Sequence, residues 1–220
     1  MSDLWEVLVR HGPELRDGLL VTIRFVAASF LIAIVTGTLV AAFRVQPVAP
    51  LRALGLLYVE FFRNIPLLVL LFIAFAGLRR AGIEIGRFTA GAGSLGLYTG
   101  AYVAEAIRSG VFAVGRGQVE ASLSLGLTYA RTLRKVILPQ AVRTVIPPLG
   151  NLLIAMIKNS AIIGVALSLA DDLLKQARII NSRTFQTNEV FFWAAVGYLL
   201  LTVTATFVVR GLEKRLAVRR

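Results

Sequence analysis

The stretch EASLSLGLTYARTLRKVILP, residues 120–139, decides how the rest of this chain is interpreted. It is the one long polar and basic segment between apolar runs that each look able to cross a bilayer. Four small or apolar residues indicate a short amphipathic helix here: Ala121, Leu123, Leu125 and Leu127. Gly126 should break or loosen that helix, and Pro139 is expected to end the helix that follows. A merely solvated loop has no reason to present such an Ala/Leu surface.

The composition indicates a membrane protein. Of its 220 residues, 57% are hydrophobic, whereas a soluble domain is usually about 45–50% apolar. The absence of cysteine excludes a disulfide framework and a thiolate metal site. The single histidine, His11, has no second ligand near it, so no metal site is predicted. Residues 1–17 lack a basic stretch followed by an apolar core, and they are interpreted as an external N-terminal segment rather than a signal peptide.

Apolar runs predict an all-α integral membrane protein with five transmembrane helices. The first and last runs, Phe25–Phe43 and Val190–Val209, carry no charge over 19 and 20 residues, enough for a hydrocarbon core of about 30 Å. The second run, residues 54–78, is interrupted by polar residues that we expect at the cytoplasmic interface or against another helix. The interrupting residues are Glu60, Arg63, Asn64 and Pro66.

The third run, Ser94–Val114, carries two glycines at the spacing that lets membrane helices approach closely, Gly96 and Gly100. The fourth run is expected to begin after Pro147 and Pro148 and to end near Leu169, because paired prolines disfavour a helix interior. Residues 79–93 and 169–189 are then expected to be external loops.

Charged residues divide unevenly between the two sides of the predicted bundle. The side with residues 44–57, 108–143 and 210–220 carries 13 basic and two acidic residues, whereas the other side carries eight of each. Because basic loops stay in the cytoplasm, this predicts a cytoplasmic loop at about 115–140, a basic cytoplasmic tail at 213–220 and an external N-terminus. The bases lie at the ends of apolar runs without interleaved aromatics, so the net charge of +12 predicts contact with membrane lipid and no nucleic acid.

Charged residues inside the spans are costly and need partners or a polar cavity. Glu60 with Arg63, and Glu105 with Arg108, are each three residues apart and could be structural pairs on one helix face. Lys158 has no acid within a helical turn, so its ammonium needs a carboxylate from another helix or from a ligand. Its neighbours Asn159 and Ser160 complete a polar cluster, which either binds ligand near the midplane or forms hydrogen bonds at a subunit interface.

The sequence argues against catalysis by this chain. It contains no Gly-Lys dipeptide and hence no phosphate-binding loop of the Gly-x4-Gly-Lys-Ser/Thr kind, so ATP would have to be hydrolysed by another subunit. It also lacks a His/Cys cluster, a nucleophile elbow and paired catalytic carboxylates in a polar region. We therefore predict a transport subunit without a cofactor.

The 120–139 stretch resembles the EAA motif of binding-protein-dependent ABC importer permeases, a Glu-Ala-Ala, Gly, Ile-x-Leu-Pro pattern. Five residues match the motif in register: Glu120, Ala121, Gly126, Leu138 and Pro139. Ser122 replaces the second Ala, and Val136 replaces the Ile. In that family the segment forms a coupling helix that sits in a groove of the ATPase subunit. The resemblance therefore implies that these seven residues couple the permease to an ATPase.

The resemblance extends over about residues 18–212, the predicted permease domain. The stretches EFFRNIPLLVLL (60–71), AEAIRSGV (104–111) and PQAVRTVIPPLGNLLIAMIKNSAI (139–162) are similar to elements of polar amino-acid permeases. The resemblance implies candidate structural or gating residues and candidate substrate-binding residues. The former are Glu60, Arg63 and Pro66, and the latter are Glu105, Arg108, Lys158, Asn159 and Ser160.

The KNSAI stretch that begins at Lys158 is most similar to permeases for glutamate, aspartate or glutamine, since permeases for cationic amino acids tend to place an acid directly after the Lys. The slight excess of bases inside the spans agrees with an anionic ligand. The resemblance implies a type I ABC importer permease fold in a bacterial inner membrane. It also implies a second permease subunit, two ATPase subunits and an external amino-acid-binding protein. A passive channel or membrane scaffold is the alternative.

Overall fold

The computed structural model describes residues 2–167 and 171–216, which contain helices and short connections but no strand. The first half of the chain forms α1 (Ser2–Val45), α2 (Ala49–Asn64), α3 (Leu67–Phe72), a π-helical turn (Ile73–Gly77), α4 (Leu78–Arg80) and α5 (Arg87–Phe112). The second half forms α6 (Arg116–Ser124), α7 (Tyr129–Thr132), a second π-helical turn (Leu133–Ile137), α8 (Leu138–Leu167), α9 (Leu173–Thr184) and α10 (Thr187–Leu216). The all-α prediction is confirmed.

Helix α5 lies at the centre of the bundle and packs mainly against α1 and α8. As the small-residue spacing predicted, Gly96 permits a close approach: a Cβ there would lie 2.9 Å from the Ser29 carbonyl oxygen of α1. The main core forms around this contact, with Phe25, Leu95 and Ile163 fully buried. Tyr58 ties α2 to the same helix by donating a hydrogen bond to the Leu97 carbonyl, at 2.6 Å.

Three helices among the described residues are long and apolar enough to cross a membrane: Leu4–Val45, Tyr129–Val165 and Thr187–Arg215. A fourth candidate is the pair Ala49–Asn64 and Leu67–Arg80, which bends by 103° at the break that contains Pro66. Helix α5 does not meet the same criterion; its buried face is mostly glycine and alanine, with Leu95 and Val103 among them. A count of five spans stays a prediction.

Both predicted external loops are wrong in extent. Only residues 81–86 of the expected 79–93 loop are outside helices, because Ala90, Gly91 and Ala92 are buried in the first turns of α5 and continue its packing against Phe25. Within the expected 169–189 loop lies α9, which buries one apolar stripe at helical spacing. That stripe consists of Leu173, Ala177 and Ile180, and it packs against the first turns of α1 and α10.

The prolines of the fourth run do not mark helix boundaries as predicted: Pro139 was expected to end a helix, and the fourth span was expected to begin after Pro147 and Pro148. Pro139 follows the second π-helical turn and continues directly into α8, and Pro147 and Pro148 lie inside that helix. Local π-helical adjustment and neighbouring helices offset the hydrogen bonds that proline removes in membrane helices. The fourth helical run therefore begins well before Pro147, inside the 120–139 stretch.

Candidate functional site

Gly126 ends α6 in the 115–140 segment with a left-handed backbone conformation, φ +79°. The Leu127 amide donates to the Ser122 carbonyl at 3.2 Å, and the Gly126 amide donates to the Leu123 carbonyl at 2.9 Å. This pair of hydrogen bonds is a Schellman motif, in which glycine carries the positive φ with least strain. The predicted break of the amphipathic helix at Gly126 is confirmed.

A buried hydrogen bond closes the 115–140 segment on itself. The Ser122 hydroxyl donates to the Thr132 hydroxyl at 3.0 Å, and both side chains are buried. Gln140 donates to Gln118 at 2.6 Å and joins the first turn of α6 to α8. These contacts fix α6 against α7 and the second π-helical turn, so the segment leads into α8 as a folded unit.

The outward surface of this segment is apolar in the middle and basic around it. Leu125 is 83% exposed, and Leu123 and Tyr129 are also exposed. Glu120 and Ala121 lie on the exposed side as well, whereas Ser122 points inward. Exposed bases surround these residues: Arg116, Arg131, Arg134 and Lys135. Exposed leucines at a water-facing end of a folded segment are typical of a surface that another protein covers.

A second polar site lies on α5, where Glu105 joins two helices. Its carboxylate accepts hydrogen bonds from Arg108, with the Arg108 Nε at 2.9 Å, so the predicted pairing is confirmed. The second carboxylate oxygen forms an ion pair with Arg44, at the end of α1. Gly55 of α2 makes room for Arg44, because a Cβ there would lie 2.7 Å from the Arg44 Cγ. One acid is therefore held between two bases.

The other predicted pair, Glu60 with Arg63, does not form in the described structure. Glu60 is exposed and accepts a hydrogen bond from Asn64 at 2.9 Å. The Arg63 guanidinium turns away from Glu60 and lies 5.5 Å from the centre of the Tyr102 ring. A cation over an aromatic face is stabilised electrostatically, and this contact replaces the missing ion pair.

Arg63, Tyr102 and Glu105 line an open groove of about 550 Å³ between α2, α5 and α8, within the range that small ligands occupy. Among the described ion pairs, none involves Arg63, which leaves this guanidinium available at the groove wall. The polar side chains of the lining are Arg63, Tyr102, Glu105, Ser109, Thr144 and Asn151.

Lys158 and its neighbours lie outside this groove. Lys158 is exposed on the single chain, Asn159 is half-buried, and Ser160 is buried and donates to the Ile157 carbonyl at 2.7 Å. The serine is therefore already satisfied within α8. A ligand role for this cluster stays a prediction, and it depends on what covers Lys158.

Sequence inspection missed Arg44, Thr132 and Asn151. Arg44 belongs to the basic 44–57 stretch after the first span, and its partner Glu105 lies 61 residues further along the chain. Spacing within one helix carries no signal for such a contact. Thr132 lies ten residues from Ser122, on a different helix, and for the same reason no local pattern pairs them.

Comparison with known proteins identifies the class to which this fold and segment belong. Residues 33–218 match the family described as "Binding-protein-dependent transport system inner membrane component". The chain is 44% identical over 198 residues to the probable glutamine ABC transporter permease protein GlnM of Bacillus subtilis, covering 90% of this chain and 89% of that protein. It is 41% identical over 232 residues to the glutamate transport system permease protein GluC of Corynebacterium glutamicum, covering all of both.

Solved structures agree with this class. A crystal structure of an amino acid ABC transporter with histidines superposes with a TM-score of 0.89 at 36% identity, covering 94% of this chain and 96% of that one. The MetNI methionine ABC transporter shares the fold, with a TM-score of 0.79 at 22% identity. The match covers 95% of this chain and 99% of that one.

The chain belongs to the family of inner-membrane permease components of binding-protein-dependent transport systems, as the motif predicted. It is the permease subunit of an amino-acid ABC importer and has the type I permease fold. It is an inner-membrane protein and not an enzyme, since ATP hydrolysis belongs to a separate subunit.

Proposed function

We propose that this permease translocates an acidic or polar amino acid, with glutamate favoured over aspartate and glutamine. The observation that carries the proposal is the charge of the groove. Arg63 contributes a cation to the groove and has no described ion-pair partner. Glu105 is the one acid in the described lining of the groove, and both of its carboxylate oxygens are engaged, one by Arg44 and one by Arg108. Such a groove favours a carboxylate over an ammonium side chain.

The coupling proposal rests on the 115–140 segment. Its exposed leucines, surrounding bases and Schellman turn at Gly126 support docking into an ATPase subunit. In this mechanism, closure of two ATPases on ATP moves α6, and the continuous helical run into α8 passes that movement to the groove. An external binding protein delivers the amino acid, and a second permease subunit, identical or paralogous, completes the pathway by alternating access.

The proposed topology has five spans, an external N-terminus and a cytoplasmic C-terminus. Because the chain contains no cysteine, single cysteines can test it without background. Glu84→Cys, in the 81–86 turn, should react with an impermeant maleimide added outside intact cells. Leu125→Cys should react only after the membrane is opened. The reverse pattern contradicts the orientation.

The function is tested by uptake into proteoliposomes that contain the transporter purified through a tag on this chain, with its binding protein added outside. Labelled glutamate, aspartate, glutamine and arginine are compared with and without ATP. We expect ATP-dependent glutamate uptake and no arginine uptake. Uptake that needs no ATP would favour the passive channel, whereas ATP-dependent uptake of another amino acid would remove only the proposed substrate.

Arg63 is tested within the same assay. Arg63→Gln should raise the KM for glutamate about 10- to 100-fold, the effect of losing one hydrogen bond to a charged group, while Arg63→Lys should retain part of it. Arg24→Gln is the matched control, since Arg24 is an exposed arginine of α1 that does not line the groove. Lys158→Ala, with Lys158→Arg as its control, tests the cluster on α8 separately.

A further inference from the structure

Arg63 lies at a helix end that gives its side chain little local support. It belongs to the last turn of α2, is exposed, and is followed by the 103° bend between α2 and the next helices. A free arginine side chain has several rotatable bonds, and fixing them on a ligand costs free energy. A groove that binds its ligand through this guanidinium therefore gains affinity from any contact that fixes the guanidinium in advance.

The acids near Arg63 are engaged by other donors. Glu60, less than one turn back on α2, accepts a hydrogen bond from the Asn64 amide at 2.9 Å. The Glu105 carboxylate, which also lines the groove, is already held by two arginines. In the described part of the chain, the arginine side chains that donate hydrogen bonds are Arg16, Arg44, Arg108 and Arg178. The N–H donors of Arg63 are therefore unused among the described contacts.

Tyr102 offers Arg63 a contact that leaves these donors unused. The Arg63 Cζ lies 5.5 Å from the centre of the Tyr102 ring, within the distance of about 6 Å at which an aromatic face attracts a cation. Tyr102 belongs to α5, so the contact joins the end of α2 to the central helix of the bundle. Because the ring face attracts the charge of the guanidinium, the N–H donors stay available for a carboxylate.

Tyr98 holds Tyr102 in turn. The two hydroxyls are hydrogen-bonded at 3.1 Å, and the ring centres are 5.2 Å apart. The spacing of four residues places both side chains on one face of α5. Tyr98 packs against the main core, whereas Tyr102 lines the groove. A chain of contacts therefore runs from the core through two tyrosines to the cation at the groove wall.

We propose that Tyr102 is a positioning residue for substrate recognition: its ring, anchored by Tyr98, holds the Arg63 guanidinium at the groove wall, where it binds a carboxylate of the amino acid. This inference rests on the proposed function, in which Arg63 binds that carboxylate. Tyr102 acts through Arg63 and needs no contact of its own with the amino acid. Its contribution is therefore to substrate binding and not to the rate of translocation.

The first test measures glutamate uptake by the reconstituted transporter. Tyr102→Leu should raise the KM about two- to fivefold, the value of an exposed cation–π contact, and leave kcat unchanged, because only binding is weakened. Tyr102→Phe keeps the ring face and should keep the KM within about twofold. Phe207→Leu is the control, since it makes the same kind of change at an exposed site of α10 outside the described groove lining, and it should alter neither constant.

A double-mutant cycle separates positioning from a direct or structural role. Once Arg63→Gln has removed the cation, Tyr102→Leu should not raise the KM further, because no guanidinium remains to be positioned. An equal rise in both backgrounds would overturn the proposal, since Tyr102 would then act independently of Arg63. A raised KM for Arg63→Gln with none for Tyr102→Leu would also overturn it but would leave the proposed function intact. If Arg63→Gln itself leaves the KM unchanged, the proposed role of Arg63 fails and the inference fails with it.

The contact itself is measured without substrate. 3-Fluorotyrosine is placed at position 102 of the purified transporter, and its ¹⁹F resonance is recorded by NMR. Arg63→Gln should shift this resonance, because a charge leaves the ring face, and Tyr98→Phe should shift it through the lost hydrogen bond. Arg24→Gln, which changes an exposed arginine of α1, should not. A resonance that Arg63→Gln leaves unchanged would show that the guanidinium does not lie over the ring, and the proposal would be wrong whatever the uptake data show.

Discussion

The 115–140 segment and the groove between α2, α5 and α8 are both polar, but they are assembled in opposite ways. The segment is one continuous stretch whose caps and hydrogen bonds mostly join residues within ten positions of each other. The groove is made by side chains from three helices, and its acid is held by Arg44 from a fourth. A folded polar segment can therefore be specified locally in a sequence, whereas a groove in a helix bundle depends on contacts between distant helices.

The largest expected effect tests the local region. Gly126→Asp keeps a residue type that tolerates positive φ, but it adds a negative charge and a side chain to the exposed surface. Because the proposed docking places this surface against the ATPase subunit, we expect ATP-dependent uptake to be abolished while the protein remains in the membrane. Uptake and co-purification of the ATPase subunit measure this effect.

Two controls separate docking from folding in that experiment. Gly126→Asn has nearly the same size without the charge and should retain more uptake than Gly126→Asp. Gly211→Asp places the same acid on α10, where an added side chain also meets open space, and it should leave uptake near the level of the unmodified protein. Normal uptake by Gly126→Asp would remove the coupling role from this segment.

The next effect tests the non-local region. Glu105→Gln leaves Arg44 and Arg108 without their carboxylate at the contact between α1 and α5. Breaking a fully buried pair costs about 3–5 kcal/mol, and because Glu105 is 24% exposed we expect roughly 2 kcal/mol, together with a raised KM. Thermal unfolding of the detergent-solubilised transporter and glutamate uptake measure the two parts.

Glu60→Gln is the matched control for that change, because Glu60 is an exposed acid of α2 with the same spacing to an arginine but no ion pair to it. It should change stability by less than about 0.5 kcal/mol, as is usual for surface substitutions. If the two variants are equally destabilised, the ion pairs at Glu105 do not hold α1 on α5.

The third prediction concerns the carboxylate of Asp172. Its hydrogen-bond donors are neutral, whereas Glu105 is held by two arginines. Asp172 caps α9 by accepting from the Lys175 amide at 3.0 Å, and it accepts from the Tyr198 hydroxyl at 3.1 Å. Burial raises the pKa of Asp172 to about 6 despite these hydrogen bonds, which lower it. The native state therefore binds more protons than the unfolded state between about pH 4 and pH 6.

The stability that protonated Asp172 contributes is therefore lost as the pH rises through this window, and this loss is complete above about pH 6. Asp172→Asn keeps a good N-cap and removes the buried charge, so it should raise the melting temperature at pH 7.5, by an amount worth roughly 1–2 kcal/mol. The gain should shrink towards pH 4.5. Asp171→Asn, at the exposed neighbouring carboxylate, is the control, and a gain for Asp172→Asn that does not vary with pH would contradict the linkage.

The features that the sequence predicts are those that depend on local contacts, and the features that it misses depend on contacts between distant helices. The break at Gly126, the contact at Gly96 and the Glu105–Arg108 pair were predictable, because each depends on backbone conformation or on spacing within one helix. Residues 79–93 were misjudged because burial against α1 overrides the low helix propensity of glycine. The Glu60–Arg63 pair failed because Tyr102, from another helix, offers Arg63 a competing contact.

The smallest expected effect concerns the buried hydrogen bond between Ser122 and Thr132. Ser122 stands where the motif has Ala, and its hydroxyl bonds the buried Thr132. Ser122→Ala should leave the Thr132 hydroxyl unsatisfied and cost about 1 kcal/mol, whereas Ser122→Ala combined with Thr132→Val should recover part of this loss, because neither polar group then stays buried alone. A double-mutant cycle on thermal stability measures the coupling. Additive effects would show that Ser122 does not act through Thr132, and would leave its hydrogen bond to the Val119 carbonyl as its remaining role.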